Sequence, residues 1–431
     1  VMERLPEWEG HFYTWYDTRT PEPLKRSYVS SLDSGNLAAC LLCCAQAVRT
    51  LAPSLDAALR GLSLRMDEMA MAMDLKKLYD PKAELFYVGM DVRDEEPGDS
   101  RYDLLASESR LLSFVAVMTG QVSTRHWFRL GRTLVRTGRG ATLISWSGTM
   151  FEYLMPTLLL PLTRGTLLDT ACRRAVKNQM HHARQGVWGV SESGYYAFDP
   201  ALNYQYQAFG LPDLALSNIC AQGVIAPYAC GLALPLFPQA AGENLQKMKA
   251  MGWDSHLGFF EAADFNASRI GEGKPFELVR SHMSHHQGMM LCALCNAVCG
   301  NALVQYFQKL PRVKAYGLLL QERMPPNALP PRKAMPRPKP AAGASRCARR
   351  QAALSGFPVD VHLLYGGGTT LCVTAQGGGY LARDGVMVSR FLGVAGEEDG
   401  IRFYLRDAQE NALWQPTDPA LPGETVFETG Q

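Results

Sequence analysis

Several acids in this chain stand out by the company they keep: Asp33, Asp103, Glu108, Glu152, Glu192, Asp199, Glu261 and Asp264. The densest setting is 187–210, VWGVSESGYYAFDPALNYQYQAFG, where Glu192 and Asp199 lie among Trp188, Tyr195, Tyr196, Phe198, Tyr204, Tyr206 and Phe209. These rings are interleaved with Ser, Asn, Gln and Gly, the mixture that a pocket for a polar, ring-shaped ligand requires. Sugar is the simplest such ligand. Breaking or transferring a glycosidic bond needs one carboxyl as proton donor and a second as nucleophile or base, and their separation decides retention or inversion. Uncharged, aromatic surroundings raise a carboxyl pKa toward neutrality, which suits a proton donor. Glu192 is the foremost candidate, because it sits between Ser191 and Ser193 with no neighbouring lysine or arginine to claim it.

Other chemistries fare worse. SWSGT at 145–149 is not a G-x-S-x-G elbow, and no Rossmann glycine set or P-loop is present. His282, His285 and His286 lack the intervening glutamate of a zincin, and with Arg280 and Gln287 beside them they read as a polar pocket wall and not as a metal site. Net charge is only +2, which argues against nucleic acid as a partner. Glu152, between Phe151 and Tyr153, is costly unless paired or put to use. Glu108 reads as lying in a helix body, where an ion pair with a nearby arginine is the alternative to a site role.

Helical patterns place these residues. A first helix begins near SLDSGNLAACLLCCAQAV, with Asp33 or Ser34 as its cap; further helices are expected at 50–64, 65–78, 102–117, after SWSGT, at 165–184, 212–221, 226–234 and 239–250, and after Ser284. The acid-bearing stretches fall between them, so the expected architecture is all-helical, with paired helices in a toroid and functional loops gathered at one end. After Arg323 the composition changes to a Pro, Arg and Ala linker, 326–356, and then to Gly-punctuated alternation over 357–431 that reads as an incomplete β-sandwich. Among the 11 cysteines, Cys43, Cys44, Cys292, Cys295 and Cys299 are expected as buried small apolar packing in a reducing compartment. No signal peptide and no run of 18 uncharged apolar residues is found, and the chain reads as a piece of something longer.

Ten blocks then carry a specific resemblance: 14–41, YDLLASESRL at 102–111, HWFRLGR at 126–132, SWSGTMFEYLMP at 145–156, WGVSESGYY at 188–196, NYQYQAFG at 203–210, APYACGLAL at 226–234, GFFEAADF at 258–265, RSHMSHHQGMM at 280–290 and LLLQERMP at 318–325. Together they resemble the glucoamylase-like cyclisation domain of bacterial cyclic β-1,2-glucan synthases. The tail from 357 resembles the start of the phosphorylase-type region of the same enzymes.

The resemblance implies a mainly α fold, an (α/α)6 barrel over 1–325, that cyclises linear β-1,2-glucan by transglycosylation; hydrolysis and noncatalytic glycan binding are the alternatives. It implies Glu108 and Glu192 as the catalytic acids. Asp33, Tyr102, Asp103, Trp146, Glu152, Tyr195, Tyr204, Tyr206, Glu261, Arg280, His285, His286 and Gln287 are expected to contact the glucan. No cofactor or metal is expected. The expected partners are linear and cyclic β-1,2-glucan and the remaining domains of a larger membrane-anchored synthase, on the cytoplasmic side of the inner membrane, without insertion of this segment. One departure is notable: Ala39 and Cys40 stand where the family has Gly-His.

Overall fold

The apolar run after Ser30 folds as a 21-residue helix, α1 (Ser31–Leu51). Ser30 Oγ accepts the Asp33 N–H at 3.2 Å, so Ser30 closes the first turn and Asp33, expected as the cap, lies inside it. The computed structural model describes residues 2–24, 27–51, 57–93, 96–138, 140–199, 202–217, 223–271, 273–324, 349–353, 361–366, 368–375, 378–383, 386–389, 405–407, 412–414 and 424–428. Two helices expected at 50–64 and 65–78 are instead one, α2 (Ala57–Ala72), followed by a short turn at Leu75–Leu78 whose N–H groups Asp74 caps; 52–56 lie outside the described residues.

The helix expected from Tyr102 starts only at Arg110, as α3 (Arg110–Met118). Backbone groups upstream are already used sideways: Gly131 N–H donates to Asp103 O at 2.6 Å, Leu105 N–H donates to Gly131 O at 3.0 Å, and Arg101–Tyr102 pairs with Leu85–Tyr87. Glu108 therefore sits in a turn before the helix and not in its body. The remaining helices are α4 (Arg125–Arg129), α5 (Met150–Leu154), α6 (Leu167–His181), α7 (Pro227–Leu232), α8 (Pro238–Ala250), α9 (Ser284–Val298), α10 (Ala302–Lys309) and α11 (Pro311–Tyr316). The helix expected at 212–221 is not formed over 212–217, where Ser145 N–H donates to Leu214 O and Leu216 N–H donates to Ser145 O; 218–222 lie outside the described residues.

The all-helical expectation is corrected in the acid-bearing stretches, which form short antiparallel strands. Tyr28–Ser30 pairs with Gly89–Asp91, and Ala262–Asp264 lies between Val224–Ile225 and Glu277–Val279. The fold is thus mainly α with small sheets at its loops. By length and mean hydropathy alone (1.2 over 18 residues) α1 is apolar enough to cross a membrane, a test that the core helix of a globular protein also meets, and it packs against α2, α3 and α10. The cysteine expectation holds for Cys43, which is buried; Cys292 and Cys295 are half-buried and Cys44 and Cys299 exposed, because their helix faces are only partly covered.

The described residues divide between two compact units. The first is drawn from Val1–Tyr196, Tyr206–Asn266 and Phe276–Met335, the second from Ala197–Gln205, Ala267–Pro275 and Pro336–Gln431. In the second, Val361–Gly366, Thr369–Thr374, Gly379–Arg383 and Val386–Met387 form an antiparallel meander over a small core of Cys372, Tyr380 and Ala382. A further strand, Arg349–Ala353, pairs with Glu424–Glu428 and falls within the stretch read as linker; 325–348 and 354–360 lie outside the described residues.

The approach of α1 to α3 turns on Gly35, where a Cβ would stand 2.5 Å from Leu112 Cβ. Gly35 and Leu112 are both buried and the Cβ would meet Leu112 Cβ and Cα, so the contact has no flexible end to give way. Gly35→Ala is expected to cost about 1–3 kcal/mol, read as a lower denaturation midpoint; an unchanged midpoint would show that the helices separate freely here.

Candidate active site

Glu108 is built by its own turn. Ser107 Oγ lies 3.1 Å from Glu108 Oε2 and 3.0 Å from Ser109 Oγ, and it accepts the Ser109 N–H at 3.2 Å. Arg110, 2% exposed, donates to the carbonyls of Leu105 at 3.1 Å and Tyr153 at 3.0 Å, which pins the turn from beneath. The ion pair considered for Glu108 is absent among the described residues, because the nearest arginine serves the backbone instead.

Glu152 organises the facing loop. Its Oε2 accepts from Ser145 Oγ at 2.9 Å and Thr149 N at 2.8 Å, and its Oε1 accepts the Ser147 N–H at 2.9 Å. With the Thr149 hydroxyl accepting the Glu152 N–H, this is a capping box that starts α5. Gly210 lets the next chain segment close on this loop, since a Cβ there would stand 1.7 Å from Ser147 O. Trp146, held out by the same loop, donates its indole N–H to Asp103 Oδ1 at 2.7 Å.

Glu192 enters just before the strand Ser193–Phe198. Tyr206 donates its hydroxyl to Glu192 Oε1 at 3.1 Å, while Tyr228 Oη donates to the Glu192 carbonyl at 2.8 Å and lies 2.9 Å from Ser191 Oγ. Behind them His286, fully buried, holds its Nδ1 2.9 and 3.0 Å from the two Glu261 oxygens. Its Nε2 is 3.3 Å from Tyr206 Oη, and Tyr228 stacks on its ring at 3.7 Å between centroids.

A cavity of about 600 Å³ joins these pieces, lined by Tyr102, Asp103, Ser107, Glu108, Trp146, Ser147, Thr149, Glu152, Glu192 and neighbours that include Arg101. The Arg101 guanidinium is already committed to Asp80 at 2.7 Å, so it leaves the acids uncompensated. Burial, then the charges of Glu152 and Glu192, push Glu108 up to about 8. Burial pushes Glu192 up to about 7 against the lowering hydrogen bond from Tyr206, with Glu152, Glu261 and Asp33 adding to the rise. Burial also raises Glu152 despite its four donors, and raises Asp33. Two carboxyls lifted by burial toward neutrality beside an open cavity are the equipment for acid–base chemistry on a neutral polar ligand.

The other expected contacts are distributed around this centre. Gln287 donates to Phe259 O at 3.1 Å, Arg280 lies over the Phe260 ring at 5.6 Å, and His285 is exposed beside His286. Tyr195 packs edge-on against Phe209. Tyr204 and Asp199 belong to the second unit, where Tyr204 packs on Phe198 and Asp199 accepts from Asn203. Asp264, fully buried, accepts the N–H groups of Tyr196 and Asn266. His282 lies 3.3 Å from Ser255 Oγ, and among the described residues no group of three or more His, Cys, Asp or Glu gathers as a metal site. Sequence reasoning missed Tyr228, whose place in the apolar run APYACGLAL reads as core; only its stacking on His286 reveals it.

Residues 101–311, which carry most of this site, match the family model described as "Putative glucoamylase". The chain carries a glucoamylase-like domain. It is 36% identical over 381 residues to the cyclic beta-(1,2)-glucan synthase NdvB of Rhizobium meliloti (strain 1021), an alignment covering 86% of this chain and 13% of that protein. The chain thus spans a small part of that relative. In fold, the glucoamylase-like domain is similar to an endo-beta-1,2-glucanase from Chitinophaga pinensis, solved with sophorotriose and glucose (TM-score 0.57, 16% identity, 74% of this chain and 78% of that one). It is similar as well to a beta-1,2-glucanase from Parabacteroides distasonis (TM-score 0.57, 17% identity, 74% of this chain and 49% of that one). The two structural matches show a shared fold.

Because burial lifts Glu108 and Glu192 above the 4.5 of a free glutamate, the folded state binds their protons more tightly than the unfolded chain does. Their contribution to stability is complete below that value and is lost as pH rises through 7 to 8. Glu108→Gln is therefore expected to raise the melting temperature at pH 9 relative to wild type and to leave it little changed at pH 5. An equal shift at both pH values would contradict the burial argument.

Proposed function

We propose that this glucoamylase-like domain cleaves and transfers β-1,2-linked glucan, with Glu108 as proton donor and Glu192 as the carboxylate. The observation that carries this reading is the pair of carboxyls, both raised by burial, that face one 600 Å³ cavity, with Glu192 the one that accepts a phenolic hydroxyl. Glu192 attacks the anomeric carbon while the Glu108 proton passes to the departing glycosidic oxygen, leaving a glycosyl ester on Glu192. A hydroxyl at the far end of the same chain then displaces the ester, returns its proton to Glu108 and closes a ring without water. Trp146 supplies an aromatic face at the cavity, and its bond to Asp103 fixes the indole plane.

Similarity to a cyclic glucan synthase supports ring closure, and similarity in fold to β-1,2-glucanases favours a second reading in which water replaces the terminal hydroxyl. The same reading takes 1–325 as an (α/α)6 barrel, followed by a linker and an incomplete β-sandwich, within a longer membrane-anchored synthase whose barrel faces the cytoplasm. Limited proteolysis is expected to remove the residues after 357 and leave a resistant 1–325 core; a resistant tail would contradict that division.

Incubation with linear β-1,2-glucan and mass analysis separates the outcomes. Products lighter than their linear counterparts by one water support cyclisation, shortened linear chains support hydrolysis, and unchanged chains with measurable binding reduce the domain to a glycan-binding module. Glu108→Gln and Glu192→Gln are each expected to lower kcat by on the order of a thousandfold or more. The rate should peak between limbs near 7 and 8, needing Glu192 ionised and Glu108 protonated. Full activity of Glu192→Gln would remove the central assignment.

A further inference from the structure

Glu261, His286 and Tyr206 were expected to bind substrate, but their bonds run toward Glu192 in an unbroken line. Both Glu261 oxygens face His286 Nδ1 at 2.9 and 3.0 Å, which fixes that nitrogen as the N–H donor. Nε2 then faces Tyr206 Oη at 3.3 Å, and Tyr206 Oη faces Glu192 Oε1 at 3.1 Å. The imidazole is fully buried, stacked against Tyr228 at 3.7 Å, so it has no freedom to turn away.

Tyr206 has one hydroxyl proton and two partners. If the Glu192 carboxyl carries its proton, it donates to Tyr206, and Tyr206 donates to a neutral Nε2. If Glu192 is a carboxylate, Tyr206 donates to it, and Nε2 completes the line only by carrying a proton of its own. We infer that Glu261, His286 and Tyr206 form a proton relay that holds the Glu192 proton on His286 and so keeps the catalytic carboxylate ionised in a cavity crowded with acids.

The exchange balances. The Glu192 O–H bond breaks as a Tyr206 O–H bond forms; the original Tyr206 O–H bond breaks as an Nε2–H bond forms. Glu192 becomes a carboxylate, His286 an imidazolium, and Glu261 remains the carboxylate that faces it. Among the described residues, Glu192 faces Tyr206, Glu108, Glu152, Glu261 and Asp33, together with Tyr102 and Tyr228, all acidic or neutral. Those facing His286 are Glu261, Tyr206, Tyr228 and His285. Among them His286 has the one basic nitrogen within hydrogen-bond reach of the Glu192 line. Tyr206, His286 and Glu261 are thus positioning residues acting through Glu192.

The inference rests on reading Glu192 as the catalytic carboxylate, and its test has a readout that does not need turnover. In the full chain at pH 8, the infrared carboxylic-acid band of Glu192, assigned by its loss in Glu192→Gln, is expected to be weak in wild type and strong in Tyr206→Phe and His286→Gln. The acid limb of kcat/KM against pH should move up by one unit or more in both variants, about a tenfold loss of rate on that limb, with KM little changed. Tyr206 is 42% exposed, so Tyr206→Phe tests the relay even where His286→Gln fails to fold. An unmoved limb and band in Tyr206→Phe, or a raised KM alone, would overturn the relay. Full activity of Glu192→Gln would instead overturn the functional reading, with the infrared result still deciding the relay.

Discussion

Crowding of carboxyl groups in one cavity, with no free cation among the described residues that line it, is the constraint on which this structure depends. Glu108, Glu152 and Glu192 line the same space, and Arg101, which also reaches it, is tied to Asp80. Like charges in a low-dielectric site are costly to ionise together, so each acid must be relieved in a different way. Glu152 is surrounded by the donors of its own loop, Glu108 keeps its proton, and Glu192 is handed a phenolic hydroxyl backed by an imidazole and a further carboxylate.

These solutions differ because the supporting elements differ. Glu152 is part of a capping box, so the interactions that relieve it also start α5 and shape the loop that presents Trp146. Glu108 rides on a serine turn over a buried arginine whose hydrogen bonds go to carbonyls, which leaves the carboxyl to the Ser107 hydroxyl and its own backbone N–H. Glu192 is reached from three separate segments, through Tyr206, Tyr228 and His286, so its environment exists only when those segments have docked. One acid is thus held by its own loop, one by a single serine turn, and one by side chains brought from distant segments.

Under the proposed function, ring closure and hydrolysis would draw on the same two carboxyls. What separates the two reactions is which hydroxyl reaches the intermediate. Shape and dryness of the cavity would then decide the outcome, and the carboxyls alone would not.

The sequence by itself determined the elements that local physics controls. The apolar periods of α1, α6, α8 and α9 and the unusual acids in aromatic surroundings were legible, because period and composition act over a few residues. It misplaced the helix before Arg110 because backbone groups of Asp103 and Leu105 bond to Gly131, a partner that no local pattern announces. It grouped Tyr206, Glu261 and His286 with the sugar contacts and carried no sign of the direction in which they bond to one another, since polar and aromatic residues near an acid look alike whatever their partners. Only the tertiary structure decided that direction, by bringing residues some 80 positions apart within hydrogen-bond reach, as Tyr206 and His286 are. Hydrogen bonds are specific to angle and distance, and those are properties of the folded chain.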